Sequence, residues 1–362
     1  MNPIASADML KNVRPDQIDN RDVSRVPGRG DLRITLTTAC NLRCAHCHNE
    51  GNIAPWIPDS PRSVQSLEEI EELLDVASNY LVKSVKFTGG DPTAFRLFEP
   101  LLDRVSAWRK KYCAIKAWGI STNGVAFLKP KLFEALTNSQ LDNICIGVDS
   151  IRESELSKPS SSTGVSGAKL FEDFVKPLAV RWPDRKIKLN TVFTGDRERV
   201  LEVIAGALEI NVDVSVIEVN GVMDEKRNVR DEFMALMNYV AGKYGLTPRR
   251  YEPLNEIYLY NDAGNARVKF YQDHCVDRDC GACRNIHMRV SPDGKGWASV
   301  PCFLLAQSNM LSMSGNDGRL SDELFGLAIK YNGMGPRWQQ GQENDIVGIT
   351  VNGITVNGSI RR

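Results

Sequence analysis

The sequence predicts an α/β fold, a partial (β/α)6 TIM-like barrel followed by a small C-terminal β-hairpin domain. Two observations lead to this prediction. From residue 32 to about residue 245, short apolar segments alternate with segments of helical periodicity, and two hairpin patterns come after them. Repeated βα alternation implies a parallel sheet with right-handed crossovers, which six units can build as a partial barrel or as an open doubly wound sheet. In both arrangements the reactive loops lie at the carboxyl ends of the strands.

Six segments are short, apolar and rich in β-branched residues, as strands buried between helices should be. They are LRITLT at 32–37, SVKFT at 84–88, IKAWGI at 115–120, NICIGV at 143–148, IKLNTVF at 187–193 and VSVIEV at 214–219. Cys145, in the fourth of these segments, is most simply a small core residue.

Helical patterns separate the strands. The clearest begins after Ser66, which forms a capping-box signature with Glu69, and Leu67, Ile70 and Leu74 then recur at helical spacing. Further helical patterns cover roughly 96–111, 130–138, 167–181, 197–209 and 229–244.

The pattern changes after residue 245. EIYLY and ARVKFY flank NDAGN, and RNIHMRV and WASVPCF flank SPDGKG, so each pair predicts a hairpin. We therefore expect an N-terminal tail at 1–30, a βα core at 31–245, a hairpin domain at 246–325 and a C-terminal tail at 326–362.

Composition narrows the class of protein. Lys plus Arg and Asp plus Glu number 45 each, and this neutrality argues against nucleic acid as a partner. No apolar run approaches the roughly 20 residues of a membrane span, and the first residues lack the apolar stretch of a secretory signal. We expect a cytoplasmic protein without membrane partners, in which clustered cysteines bind metal or carry out redox chemistry.

Three cysteines, Cys40, Cys44 and Cys47, follow the first predicted strand. Three interpretations compete for them. A zinc site would take His46 or His48 as its fourth ligand, but the x3, x2 spacing matches known zinc patterns poorly. Unrelated surface thiols are disfavoured, because three clustered thiols invite oxidation. The third is a [4Fe–4S] cluster whose fourth iron binds a molecule from outside the protein.

The C-x3-C-x2-C spacing after a first βα strand resembles the radical S-adenosylmethionine (SAM) enzymes. The resemblance implies that Cys40, Cys44 and Cys47 are the catalytic cluster ligands and that the open iron binds SAM. In that family one electron from the cluster cleaves SAM to a 5′-deoxyadenosyl radical, which removes hydrogen from the substrate. The resemblance also implies an electron donor such as flavodoxin or ferredoxin.

Polar motifs after the next strands extend the resemblance. TGGDP, STNG, GVDS and LNT lie where the family contacts SAM, although Asp91 replaces the usual Glu. The cofactor-binding residues that the resemblance implies are Gly89, Gly90, Asp91, Ser121, Thr122, Asn123, Asp149, Ser150 and Asn190. Gly89 and Gly90 would allow close backbone approach.

A second group of cysteines lies in the hairpin region. CGACRNIHMRVSPDGKGWASVPCF resembles the auxiliary-cluster (twitch or SPASM-like) segment of the GTP 3′,8-cyclase family, and the likeness spans roughly residues 30 to 303. It implies a second [4Fe–4S] cluster on Cys280, Cys283 and Cys302. Cys275 is either a fourth ligand, which we favour, or a spare thiol near a hairpin end.

The departures from that family concern the substrate. Asn285 and His287 stand where the cyclases have two phosphate-binding arginines, while Arg33 matches a substrate-contacting arginine. Because a triphosphate would lose charge-assisted contacts, we expect a different small molecule, a nucleoside, nucleotide or sugar nucleotide. Decarboxylation, epimerisation, cyclisation and dehydrogenation all remain open. So do three other functions: a peptide-modifying maturase, GTP 3′,8-cyclase itself and a non-enzymatic zinc-binding module.

Overall fold

A computed structural model describes most of the βα core and part of the C-terminal region. The described residues are 30–42, 44, 47, 62–153, 164–219, 229–251, 256–272, 288–294, 296–300, 311–315, 318–332, 349–351 and 354–356.

The six predicted core strands form in chain order. They are β1 Asp31–Thr35, β2 Ser84–Thr88, β3 Ala117–Thr122, β4 Asn143–Gly147, β5 Lys186–Phe193 and β6 Asp213–Glu218. Each strand pairs in parallel with the next. The predicted α/β class and the parallel strand order are confirmed.

The later strands extend this sheet at both ends. They are β7 Thr247–Tyr251, β8 Glu256–Tyr260, β9 Ala266–Tyr271, β10 Met288–Pro292, β11 Trp297–Ser299 and β12 Leu311–Ser312. Both predicted hairpins form, β8 with β9 and β10 with β11. β9 also pairs in parallel with β6, and β10 pairs in parallel with β1. The proposed division at residue 245 stays a prediction. Ile349–Val351 (β13) and Ile354–Val356 (β14) pair separately.

Helices connect the strands. They are α1 Leu67–Ser78, α2 Phe98–Lys111, α3 Pro130–Asn138, α4 Gly167–Leu170, α5 Lys176–Arg181, α6 Arg197–Glu209, α7 Arg230–Lys243 and α8 Asp322–Asn332. A π-helical segment, Phe171–Val175, joins α4 to α5. At α1 the Ser66 hydroxyl accepts the Glu69 N–H at 3.3 Å, and the Glu69 carboxylate accepts the Gln65 N–H at 3.1 Å. None of the helices in the described ranges is long and apolar enough to cross a bilayer.

The sheet curves around an interior space. Lys86 on β2 and Lys269 on β9 lie five strand steps apart, which in a flat sheet would separate them by about 24 Å. Both nevertheless line a single cavity of about 290 Å³. We call this interior space the lumen. Along the core strands, apolar side chains such as Phe87 and Ile146 are fully buried in the hydrophobic core, and period-two alternation places the positions between them on the lumen face.

Candidate active site

The loops after β1 and β2 pack against each other through their backbones. The Gly90 N–H donates to the Thr37 carbonyl at 2.8 Å, and the Asp91 N–H donates to the Ala39 carbonyl at 2.7 Å. A Cβ on Gly90 would lie 2.2 Å from the Ala39 oxygen, and one on Gly89 would lie 2.5 Å from the Thr37 oxygen. Only glycine therefore fits at these two positions, directly beneath the cysteine loop.

The three predicted cluster cysteines share this edge of the sheet. Cys40 and Cys47 are exposed and Cys44 is half-buried. The Leu42 N–H donates to the Cys40 sulfur at 3.3 Å, and the Cys47 N–H donates to the Cys44 carbonyl at 3.0 Å. In the described part of the chain, no three His, Cys, Asp or Glu side chains converge as a metal site. The donor set is nevertheless the one that iron–sulfur clusters use, three thiols on one loop, so the residues fit such a cluster.

Asp91 joins the ends of β2 and β3. Its buried carboxylate accepts hydrogen bonds from the Thr93 N–H, the Thr122 hydroxyl and the Asn123 N–H. Burial raises the pKa of Asp91, and these hydrogen bonds oppose that rise. The Asn123 amide then donates to the Asn41 side chain at 2.7 Å and approaches the Cys40 sulfur at 3.8 Å. The side chain in place of the family's Glu thus connects two loops of the predicted SAM site.

The remaining predicted cofactor residues lie toward the same edge on β3, β4 and β5. Asp149 is fully buried and accepts the Val192 N–H at 2.9 Å. The Ser150 hydroxyl accepts the Arg152 N–H at 3.1 Å. Asn190 is the register partner of Gly147, and Ser121 is that of Cys145. The structure therefore places all the predicted SAM contacts along one side of the barrel, and their contacts to SAM stay predictions.

Five side chains form a second group inside the lumen, which we call the lumen cluster. Its members are Arg33, Lys86, Cys145, Lys188 and Lys269. The Lys86 amine lies 3.1 Å from the Cys145 sulfur, and the Lys269 amine donates to the Glu256 carboxylate at 2.7 Å. Arg33, the one predicted substrate residue among those described, neighbours Lys86 in the β1–β2 register.

Burial and charge shift the pKa values of this group. Burial lowers the pKa of Arg33 and of Lys86, and it lowers that of Lys269 to about 8. For Cys145 burial acts in the opposite direction, but Lys188, Lys86 and Arg33 outweigh it and lower its pKa to about 6. The lumen is thus a buried site with an excess of positive charge.

Sequence reasoning missed the three lysines of the lumen cluster. The signal that could have found them is one lysine in each of three otherwise apolar strand patterns, SVKFT, IKLNTVF and ARVKFY. Period-two alternation places each of these lysines on the face opposite the apolar side chains. Cys145 is buried, as expected, but its sulfur contacts Lys86.

The second predicted cluster falls outside the described residues. Cys275, Cys280, Cys283, Cys302, Asn285 and His287 all lie there, as do His46 and His48. Strands β10 and β11, which lie between Cys283 and Cys302 in the sequence, are described, and the Val300 N–H donates to the Arg289 carbonyl at 3.0 Å.

Comparisons with known proteins agree with this architecture. The family model of the Radical SAM superfamily matches residues 34–237. The chain is 31% identical over 273 residues to a GTP 3′,8-cyclase of Aquifex aeolicus, covering 73% of this chain and 79% of the relative. It is 30% identical over 272 residues to a probable GTP 3′,8-cyclase of Sulfurisphaera tokodaii, with the same 73% and 79% coverage.

A solved structure has the same fold. Streptococcus suis SuiB bound to S-adenosylmethionine matches with a TM-score of 0.54 at 18% identity, covering 77% of this chain. The match spans 61% of SuiB, less than two thirds of its length, so the likeness concerns the fold alone. The expected enzyme class is confirmed, and the non-enzymatic zinc-binding alternative is set aside. The chain belongs to the radical SAM superfamily, and membership implies a [4Fe–4S] cluster and SAM as its cofactors.

Proposed function

We propose that this enzyme removes hydrogen from a small anionic substrate held in the lumen, a nucleotide or sugar nucleotide. The observation that carries the proposal is the lumen cluster. Lys86, Lys188 and Lys269 line one cavity of about 290 Å³, and Arg33 lies beside Lys86. Cys145 and Glu256 offset only part of that charge. A neutral substrate would leave the excess positive charge of the cavity uncompensated, which is costly in a buried site.

The pKa shifts of the lumen cations support an anionic ligand. Burial lowers the pKa of Arg33, Lys86 and Lys269, so each cation is less stable here than in water. An anionic group that accepts hydrogen bonds from them reverses this penalty, and each charge-assisted bond contributes about 1.5–3 kcal/mol. A phosphate monoester or diester has the acceptor oxygens that such a site needs.

The carboxyl edge of the barrel suits the cofactors. Cys40, Cys44 and Cys47 would hold the cluster, with Gly89 and Gly90 beneath them and Asp91 fixing Thr122 and Asn123. When bound and reduced by a donor such as flavodoxin or ferredoxin, the cluster and SAM together supply a hydrogen-abstracting radical. The chain itself would orient SAM at this edge. The cavity lies toward the amino ends of β4, β5, β6 and β9, so the anionic group of the substrate would bind there while the rest of the substrate extends through the barrel toward SAM.

A substrate panel tests the proposal. Anaerobically reconstituted enzyme would be assayed for substrate-dependent 5′-deoxyadenosine with guanosine, GMP, GTP and UDP-sugars. We expect at least one phosphorylated compound to stimulate formation and the neutral nucleoside to act weakly. Lys188→Met should raise the KM for that compound about tenfold, since one charge-assisted contact is lost. Lys110→Met, an equal charge change at an exposed position of α2, is the matched control.

The contrary outcomes are also defined. Stimulation by neutral nucleosides equal to that by phosphates would contradict the anionic substrate. Stimulation by a peptide alone would favour the peptide-modifying alternative, and conversion of GTP to its 3′,8-cyclised product would identify the cyclase. The expected cytoplasmic location, without nucleic-acid or membrane partners, stays a prediction.

We further propose a second [4Fe–4S] cluster on Cys280, Cys283 and Cys302, with Cys275 as its fourth ligand. The support is the described hairpin, whose strands β10 and β11 run antiparallel between Cys283 and Cys302. Iron and sulfide analysis tests it: about eight irons per chain are expected for two clusters. About four would leave only the first cluster, and zinc in place of iron would contradict both.

A further inference from the structure

Cys145 lies within the lumen, and none of the roles above uses its thiol. It sits on β4 between two register partners, Ser121 on β3 and Lys188 on β5. Its sulfur lies 3.1 Å from the Lys86 amine, and its side chain lines the same cavity as Lys86, Lys188 and Lys269. A nucleophilic, ionisable group therefore stands among the cations that would bind substrate.

The surroundings favour the thiolate form. Burial alone would raise the pKa of the thiol, but Lys188, Lys86 and Arg33 outweigh it and hold the pKa near 6. The charged or titratable groups that surround it come from β1, β2, β5, β6, β8 and β9. They are Arg33, Lys86, Lys186, Lys188, Asp213, Glu256, Tyr258, Arg267 and Lys269.

A thiolate at this position has a direct consequence for ligands. A second anion entering the lumen must share Lys86 and Lys188 with the sulfur, and like charges in a buried site repel strongly. The thiolate and the Glu256 carboxylate offset two of the four cations, Arg33, Lys86, Lys188 and Lys269, and leave an excess of about two positive charges. A ligand with more negative charge than this excess would be left partly uncompensated in a buried site, so the lumen discriminates by ligand charge.

We propose that Cys145, paired with Lys86, is a specificity-determining residue that limits how much negative charge the lumen accepts. The inference rests on the proposed function and narrows its substrate to a phosphate monoester or diester in preference to a triphosphate. Asn285 and His287, in place of the phosphate-binding arginines of the cyclase family, agree with that preference.

Inorganic sulfate is a suitable probe, because its charge stays constant between pH 5 and pH 9. Its affinity for the reconstituted full chain would be measured by calorimetry across that range. In the wild type we expect tighter binding as pH falls through about 6, when protonation of Cys145 releases Lys86. Cys145→Ser keeps the size and removes the charge, so it should bind sulfate about tenfold more tightly at pH 8 and show no step near pH 6. The Cys145 thiolate raises the pKa of Lys269, so Lys269 should lose its charge at a lower pH in the variant; this weakens sulfate binding at pH 8 and opposes the predicted gain.

Controls separate this inference from the proposed function. Cys113→Ser, at an exposed cysteine, should behave as the wild type. Should Cys145→Ser fold poorly, Cys145→Ala and the wild-type pH profile give the same information. A wild-type profile without a step near pH 6, or equal sulfate affinity in wild type and variant at pH 8, would overturn the role of Cys145. If sulfate binds neither protein, and Lys188→Met changes nothing in the substrate assay, the anionic substrate itself is contradicted.

Discussion

The carboxyl edge of the barrel and its lumen lie on the same strands but are built from different interactions. At the edge, backbone groups and uncharged donors make the contacts, as in the Gly90-to-Thr37 and Asn123-to-Asp91 hydrogen bonds. In the lumen, buried ions make them, as in the Lys86–Cys145 and Lys269–Glu256 pairs. The backbone contacts at the edge hold the loops at a fixed distance from each other, whereas the ion pairs in the lumen depend on the protonation of each partner. The edge should therefore be sensitive to side-chain size, and the lumen to pH and to ligand charge.

The largest expected effect concerns the edge. Replacing Cys40, Cys44 and Cys47 together by Ala should abolish formation of 5′-deoxyadenosine, because no thiolate would remain to hold the first cluster. Product analysis after anaerobic reduction measures this. The variant should keep the iron and sulfide of the second cluster.

Cys113→Ala is the matched control, since Cys113 is exposed and distant in sequence from both groups. It should form 5′-deoxyadenosine at the wild-type rate. Formation retained in the triple variant would show that the radical centre lies elsewhere in the chain.

A smaller effect is expected from enlarging a side chain at the carboxyl edge. A Cβ on Gly90 would meet the Ala39 oxygen at 2.2 Å, so Gly90→Ala should lower the free energy of unfolding by about 3 kcal/mol. Gly242→Ala on α7, where a Cβ meets nothing within 4 Å, should instead stabilise by up to about 1 kcal/mol. Denaturant unfolding measures the free energy of unfolding of both variants. Equal changes in the two would contradict the claim that the backbone beneath the cysteine loop leaves no room for a side chain at Gly90.

In the lumen, the ionisation of Cys145 should make the free energy of unfolding depend on pH. The pKa of Cys145 is about 6 in the folded chain and about 8.5 unfolded, so between these values the unfolded chain binds more protons. The stabilisation is complete above about pH 8.5 and is lost as pH falls through 6. The unfolding free energy of the wild type minus that of Cys145→Ser should rise by about 2 kcal/mol from pH 6 to pH 8. A flat difference would mean that Cys145 is a neutral thiol.

The same contrast explains what the sequence could predict. The six parallel strands and both hairpins follow from local alternation, and the edge residues follow directly after strands, so short motifs locate them. The lumen cluster depends on register and curvature: Lys86 and Lys269 are far apart in sequence and share one cavity only because the sheet bends. The pairing of β10 with β1 is equally non-local. Asp91 is an intermediate case. The TGGDP motif after β2 locates the residue, but its hydrogen bonds from Thr122 and Asn123 form only when β3 pairs beside β2.

The central claim is that the carboxyl edge binds SAM and the lumen binds the substrate. It is tested most directly by measuring the affinities for SAM and for the nucleotide in the same variant. In Lys86→Met combined with Lys188→Met, the dissociation constants for SAM and for the stimulating nucleotide would both be measured, with Lys110→Met combined with Lys116→Met as the exposed charge-matched control. We predict that nucleotide affinity falls about 100-fold, from the loss of two charge-assisted contacts, while SAM affinity stays within about twofold. Equal losses for both ligands, or an unchanged nucleotide affinity, would contradict the assignment of the lumen to the substrate.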